Sequence, residues 1–70
     1  PGLLDMPRGK VKWFSRERRY GFITQEDGKD IFFHQDHVVD KMVLEKGQEV
    51  EFEVARGPKG SYAINVRPVH

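Results

Sequence analysis

Tyr20-Gly21-Phe22-Ile23-Thr24-Gln25-Glu26-Asp27-Gly28-Lys29-Asp30-Ile31-Phe32-Phe33-His34 is the stretch that decides the fold. Two runs of β-branched and aromatic residues flank Glu26-Asp27-Gly28-Lys29, and an Asp-Gly pair between such runs is a hairpin signal. Side chains on a strand alternate between its faces. Tyr20, Phe22 and Thr24 therefore share one face of the first run, opposite Gly21 and Ile23. In the second run Ile31 and Phe33 oppose Phe32 and His34. One face of the hairpin is aliphatic with a single ring, and the other is mostly rings.

Working outward, Lys10-Val11-Lys12-Trp13-Phe14 reads as a preceding strand, joined by the charged connection Ser15–Arg19. Residues 35–46 are irregular, with a short helical turn expected near Asp36–Val39. Gln48 to Ala55 alternates acid and apolar with period two, the pattern of a strand with one buried face. Gly57-Pro58-Lys59-Gly60 is a turn, and Ser61–Val66 a last strand that Pro68 ends or places at an edge. Five short strands in so small a chain expose edges unless the sheet closes. The expected fold is all-β: a five-stranded antiparallel Greek-key barrel of the OB type, partly open. Its inward set is Val11, Ile23, Ile31, Phe33, Val50, Phe52, Val54, Ile64 and Val66. Met6-Pro7-Arg8-Gly9-Lys10 reads like a natural start. Residues 1–7 are expected to be a flexible lead or cloning remnant, with one domain over residues 8–69.

The chain has 70 residues and no cysteine. It lacks a disulfide framework and a thiolate nucleophile, and it is far too short for a barrel enzyme of roughly 250 residues. Its net charge of +1 conceals a pattern. Residues 1–24 carry +4, residues 25–53 carry −6 and residues 54–70 carry +3. If the two basic segments meet, they make a positive face; alternation over a solvated surface is the plainer possibility.

The parity above turns Tyr20, Phe22, Phe32 and His34 outward on adjacent strands, an unusual patch for a soluble monomer. Putting these rings inside instead would expose Ile23, Ile31 and Phe33 and bury His34. Keeping the patch outside leaves two uses, a protein or dimer surface or a stacking platform for the bases of a single strand. Each base–aromatic stack is worth about 1–3 kcal/mol and tolerates any base. Lys10, Lys12, Arg16, Arg18, Arg19 and Lys59 would supply the charge at its rim, and rings interleaved with basic residues favour the platform.

These same residues resemble the cold-shock domain family. Gly9-Lys10-Val11-Lys12-Trp13-Phe14 looks like its first strand. Arg19-Tyr20-Gly21-Phe22-Ile23 is similar to its first RNA-binding motif and Ile31-Phe32-Phe33-His34 to its second. Leu44-Glu45-Lys46-Gly47-Gln48-Glu49-Val50 and Ala63-Ile64-Asn65-Val66 resemble later landmarks, so the likeness covers about residues 8–67. The resemblance implies a barrel that binds single-stranded RNA and DNA, acts as an RNA chaperone by melting weak secondary structure, and is not an enzyme. Carried over by position, Trp13, Tyr20, Phe22, Phe32 and His34 would stack on bases. Lys10, Lys12 and Lys59 would touch the backbone or base edges, Asp30 would accept a hydrogen bond near a base edge, and Phe14 would lie at the platform's margin.

The chain departs from the family pattern at four places. Arg18-Arg19 replaces the usual Lys-Gly, which makes a φ > 0 turn less comfortable while Arg19 adds cationic or stacking capacity. Gln35 stands where an aromatic is frequent, so a hydrogen bond is expected in place of a stack. The loop from Gln35 to Leu44 is shorter and lacks its usual ring, for which Met42 is a weak substitute. Tyr62 takes a commonly polar position, and parity would set it with Ile64 and Val66, inward or at the barrel mouth.

Other chemistry finds no support in the sequence. His34, Asp36 and His37 lack the further ordered ligands a metal site needs, and no nucleophile has a base beside it. Gly57-Pro58-Lys59-Gly60 lacks the P-loop spacing. Glu49, Glu51 and Glu53 read as a solvated strand face that also repels nucleic acid from that side. The expectations are no metal, cofactor or small-molecule substrate, no membrane segment, a cytoplasmic monomer, and single-stranded RNA and DNA as partners.

Overall fold

The structure is a computed structural model and describes residues 6–69. The expected lead falls mainly on residues 1–5, outside the described residues. At its end, the Pro7 carbonyl accepts a hydrogen bond from the Phe52 amide at 3.1 Å, so the barrel's bonding starts before residue 8. Five strands form in the expected order: β1 (Arg8–Ser15), β2 (Tyr20–Gln25), β3 (Asp30–His34), β4 (Glu49–Gly57) and β5 (Gly60–Pro68). Two single 3₁₀ turns, Gln35–His37 and Val39–Lys41, follow β3. The β2–β3 turn forms where the Asp-Gly pair predicts it. Gly28 takes φ 87°, and the Asp27 carboxylate accepts from the Lys29 amide at 2.9 Å.

The strands bond in the order β1-β2-β3-β5-β4 and close as a barrel through β1–β4. The sheet is closed rather than partly open, because Arg8, Gly9 and Lys10 pair with Glu51, Val50 and Glu49. Closure removes the edges that a five-stranded sheet would otherwise expose. One pairing is parallel, β3–β5, through Phe32↔Tyr62 and Phe33↔Ala63. A parallel pair needs a crossover, and the loop after β3 together with β4 provides it.

Val11, Ile23, Ile31, Phe33, Val50, Phe52 and Val66 fill the interior as their parity predicts. Ala63 joins them, and Val38 and Leu44 from the β3–β4 connection are buried with them. Two members of the expected set do not belong. Ile64 is only half-buried, because β5 carries a bulge: Glu51 pairs with Arg67 but Glu53 pairs with Ile64. Asn65 takes up the additional residue at φ 51°. Val66 and Ala63, three residues apart, then both point inward, and Ile64 turns out beside Glu53. Val54 keeps inward parity yet is 46% exposed. It lies on β4 beyond Glu51, where β1 no longer pairs and only the β4–β5 ribbon continues.

Candidate nucleic-acid interface

The rings gather on the outer face of β1–β3. Phe22 pairs with Phe32 and Tyr20 with His34 across β2–β3, so these side chains stand side by side. Trp13 joins them through a bulge. Val11 pairs with Ile23 and Trp13 with Phe22, leaving Lys12 as the additional residue of β1. Strict alternation would turn Trp13 inward behind Val11; the bulge at Lys12 returns it to the outside. Ring centroids lie 5.4 Å apart for Trp13–Phe22, 5.5 Å for Trp13–Tyr20, 5.4 Å for Tyr20–Phe32 and 5.8 Å for Phe22–Phe32. These are contact distances for tilted and edge-on aromatic pairs, so each ring fixes its neighbour's orientation. Trp13 and Phe32 are nonetheless 38% and 37% exposed.

Gly21 makes the underside of this face possible. A Cβ there would stand 2.3 Å from the Trp13 carbonyl oxygen and 2.9 Å from the Phe14 Cα. Only glycine lets β1 and β2 approach so closely. The same closeness sends Phe14 elsewhere than expected. It pairs with Gly21, on the inward-facing side, and stacks on Phe33 at 5.7 Å and 16°. Phe14 is thus a partly buried neighbour of the core, not a ring at the platform's margin.

Gln35 also departs from its expected role. Its side chain is buried, and its amide donates to the Met42 carbonyl at 2.9 Å. That bond fastens the short β3–β4 connection and leaves no ring or free amide at this place on the surface. Met42 itself is exposed. Arg19 stands at φ 65°, the left-handed conformation that a glycine would adopt without cost. Its neighbours hold it there: the Arg19 amide donates to the Ser15 carbonyl at 2.7 Å, and its carbonyl accepts from the Gln35 amide at 2.8 Å. The guanidinium reaches the Asp36 carboxylate at 3.2 Å.

The rim charges fall into two groups. Lys12 Nζ is 2.7 Å from Asp30, which also accepts from the Thr24 hydroxyl at 3.1 Å. The Lys12 hydrogen bond, helped by that of Thr24, holds the Asp30 carboxyl below the usual carboxylate range. It is ionised near neutral pH and able to accept a hydrogen bond at the edge of the platform. Lys10 lies exposed on β1 two residues before Lys12. Lys59, in the β4–β5 turn, and Arg16 and Arg18, in the β1–β2 turn, are in no ion pair among the described residues. His34 Nδ1 accepts from the Asp36 amide at 3.0 Å. In the neutral ring the proton therefore sits on Nε2. The acids of β4 sit opposite β1 and β5 in the barrel wall: Glu49 faces Lys10, and Glu51 lies between Arg8 and Arg67. Among the described residues no group of three or more His, Cys, Asp or Glu side chains could hold a metal ion, and no helix is long and apolar enough to cross a membrane.

Sequence reasoning missed Tyr62 as part of this face. The β5 bulge reverses its parity, so it pairs with Phe32 rather than facing inward with Val66. Its ring lies 5.6 Å from that of His37. The signal available was Asn65, one of the few non-glycine residues at ease with positive φ, but one asparagine in a strand does not announce a bulge.

A closed five-stranded Greek-key barrel with rings on one outer face defines the OB class of protein. The fold matches a solved structure described as "drosophila Unr CSD456" with a TM-score of 0.77 and 24% identity, covering 94% of this chain and 27% of that one. Residues 7–69 match the family described as the "Cold-shock" DNA-binding domain, and the chain belongs to it. It is 49% identical over 63 residues to cold shock protein CspB of Bacillus caldolyticus, covering 87% of this chain and 96% of that protein. It is 46% identical over 67 residues to a probable cold shock protein A of Mycolicibacterium smegmatis, covering 91% of this chain and 100% of that one. It is 45% identical over 64 residues to a cold shock-like protein of Thermotoga maritima, covering 89% and 97%. As a cold-shock domain the chain is a nucleic-acid-binding protein.

Proposed function

We propose that this chain binds single-stranded RNA and DNA by stacking bases on Trp13, Tyr20, Phe22, Phe32 and His34, and acts as an RNA chaperone. The observation that carries the reading is the set of four mutually contacting rings held outside the core of a domain that has few apolar groups to spare. Flat rings accept the π-face of any base, so binding asks little of sequence. Arg16, Arg18, Arg19, Lys10, Lys12 and Lys59 meet the phosphates, and Asp30 accepts from a base edge. The protein needs no nucleotide hydrolysis. Holding unpaired strands shifts the hairpin-to-single-strand equilibrium by mass action.

Titrating an unstructured pyrimidine oligonucleotide at two ionic strengths, with Trp13 fluorescence as the reporter, tests the reading. Quenching is expected, with a log–log salt slope of about −0.7 for each phosphate neutralised. Absence of both quenching and salt dependence would sink it. For the chaperone step, a weak RNA hairpin carrying a fluorophore and quencher should open at saturating protein without ATP.

A further inference from the structure

Gln35 is the buried polar side chain among the described residues. A leucine of similar volume would suit such a place, yet the chain sets an amide there and uses it. Gln35 Nε2 donates to the Met42 carbonyl at 2.9 Å. A carbonyl oxygen only accepts, so the nitrogen of the amide is the atom that faces it. The backbone of Gln35 is engaged elsewhere, its N–H donating to the Arg19 carbonyl at 2.8 Å. One residue thus ties the β1–β2 turn, at Arg19, to the second 3₁₀ turn of the β3–β4 connection, just after Lys41. We propose that Gln35 is a positioning residue for single-strand binding: it fixes Lys41 relative to Arg19, so that the two cations meet one phosphate together.

Three observations support this role. First, both cations stand on backbone that has to be held. Arg19 takes φ 65°, Lys41 φ 50° and Asp40 beside it φ 56°. Residues other than glycine rarely visit this left-handed region, and then at a cost. The turn's own bonds, from the Lys41 amide to the Val38 carbonyl and from the Met42 amide to the Val39 carbonyl, are local. The Gln35 side chain adds a bond from outside the turn, at the end of β3. Second, the two cations converge. Arg19 Nη2 is 3.2 Å and Lys41 Nζ 3.6 Å from the same oxygen of Asp36. Groups from two separate loops therefore reach a single anionic atom, a spacing that suits one phosphate. The Asp36 carboxylate attracts both side chains but leaves the Lys41 backbone unfixed, which is the part Gln35 plays. Third, the pair stands beside the platform, because the other Asp36 oxygen is 3.6 Å from His34 Nδ1. Cations placed before the strand arrives lose less freedom on binding.

The inference rests on the single-strand reading, and the test separates their failures. Oligouridylate is titrated at several salt concentrations against the wild type, Gln35→Leu, Lys41→Ala and the double variant, each fold checked by circular dichroism and thermal melting. Each single variant should bind roughly three- to tenfold more weakly at low salt and lose about 0.7 of the salt slope, the share of one phosphate contact. The double variant should bind no worse than either single one, since the two residues act as a unit. Gln35→Leu combined with Lys59→Ala, in a different loop, should lose both contributions in full. In Gln35→Leu the Lys41 and Met42 amides should exchange hydrogen faster while the strand amides keep their protection. If Gln35→Leu does not fold, Gln35→Glu takes its place, with the same shape but no proton to donate at neutral pH. Losses that add between Gln35 and Lys41 would make Gln35 a purely structural residue. An unchanged slope in Lys41→Ala would remove the contact that Gln35 positions. Either result overturns the inference and leaves the platform reading standing. If no oligonucleotide binds even the wild type, the platform reading falls and takes this one with it.

Discussion

Phe32 and Phe33 are neighbours in sequence and opposites in role. Phe33 is fully buried and stacks under Phe14, whereas Phe32 is 37% exposed among the outer rings. Phe33→Ala removes a core ring and leaves a cavity, at a cost of about 3–5 kcal/mol. A domain of this size rarely has more than about 3–5 kcal/mol in its core, so the variant should be largely unfolded by circular dichroism at room temperature. Phe32→Ala should leave the far-ultraviolet spectrum unchanged and the melting temperature within a few degrees, while weakening oligonucleotide binding by at least about 1 kcal/mol. If Phe32→Ala unfolds the chain instead, the ring belongs to the core and the platform is misassigned. Gly21 shows the same division from the backbone side. It has no chemistry of its own, yet the approach of β1 to β2 that sets the outer rings depends on it.

At the scale of the strands, two bulges decide which side chains reach the surface. The Lys12 bulge returns Trp13 to the outside, and the Asn65 bulge turns Tyr62 toward Phe32. The hairpin at Tyr20–His34 was legible because its alternation is unbroken and its turn carries Asp-Gly. The same alternation read through β5 sent Ile64 and Tyr62 to the wrong side. A bulge costs one residue of register, and one residue is all that separates inside from outside in a strand. The core positions of β1–β3 and the outward set Tyr20, Phe22, Phe32 and His34 were therefore readable from alternation, while Trp13 came only from the family resemblance, and Ile64, Val54, Gln35 and Phe14 depended on pairings between distant segments. Asn65 allows a direct test. A non-glycine residue in the left-handed region costs roughly 1–2 kcal/mol, and asparagine pays less than most. Asn65→Ala should lower stability by about 1 kcal/mol in urea unfolding, and Asn65→Gly should not. Equal losses in both would mean that the Asn65 side chain, not the backbone angle, holds the bulge.

Over the whole molecule, a net charge of +1 conceals basic residues around the rings and acids on β4, and Asp36 is an acid that stands among the cations of the rim. Its carboxylate is 3.2 Å from Arg19, 3.6 Å from Lys41 and 3.6 Å from His34. All these groups are exposed, so the pairs stabilise the fold little. Their larger effect is on the ligand, because phosphates must compete with Asp36 for Arg19 and Lys41. Neutralising Asp36 releases these cations without touching a ring. The Asp36 amide bond to His34 Nδ1 is a backbone bond and survives the change. Asp36→Asn should therefore bind a single strand more tightly at low salt and keep the wild-type melting temperature. If both cations then engage phosphates, the salt slope should steepen by up to about 0.7 for each. The gain should shrink as ionic strength rises, since the ions of the buffer screen exposed charges. Fluorescence titrations at several salt concentrations measure both quantities at once. A tighter complex with an unchanged slope would mean that Asp36 acts through the shape of the Gln35–His37 turn. An unchanged affinity would mean that Arg19 and Lys41 stand off the path of the strand, and that the basic rim is confined to β1, the β1–β2 turn and Lys59.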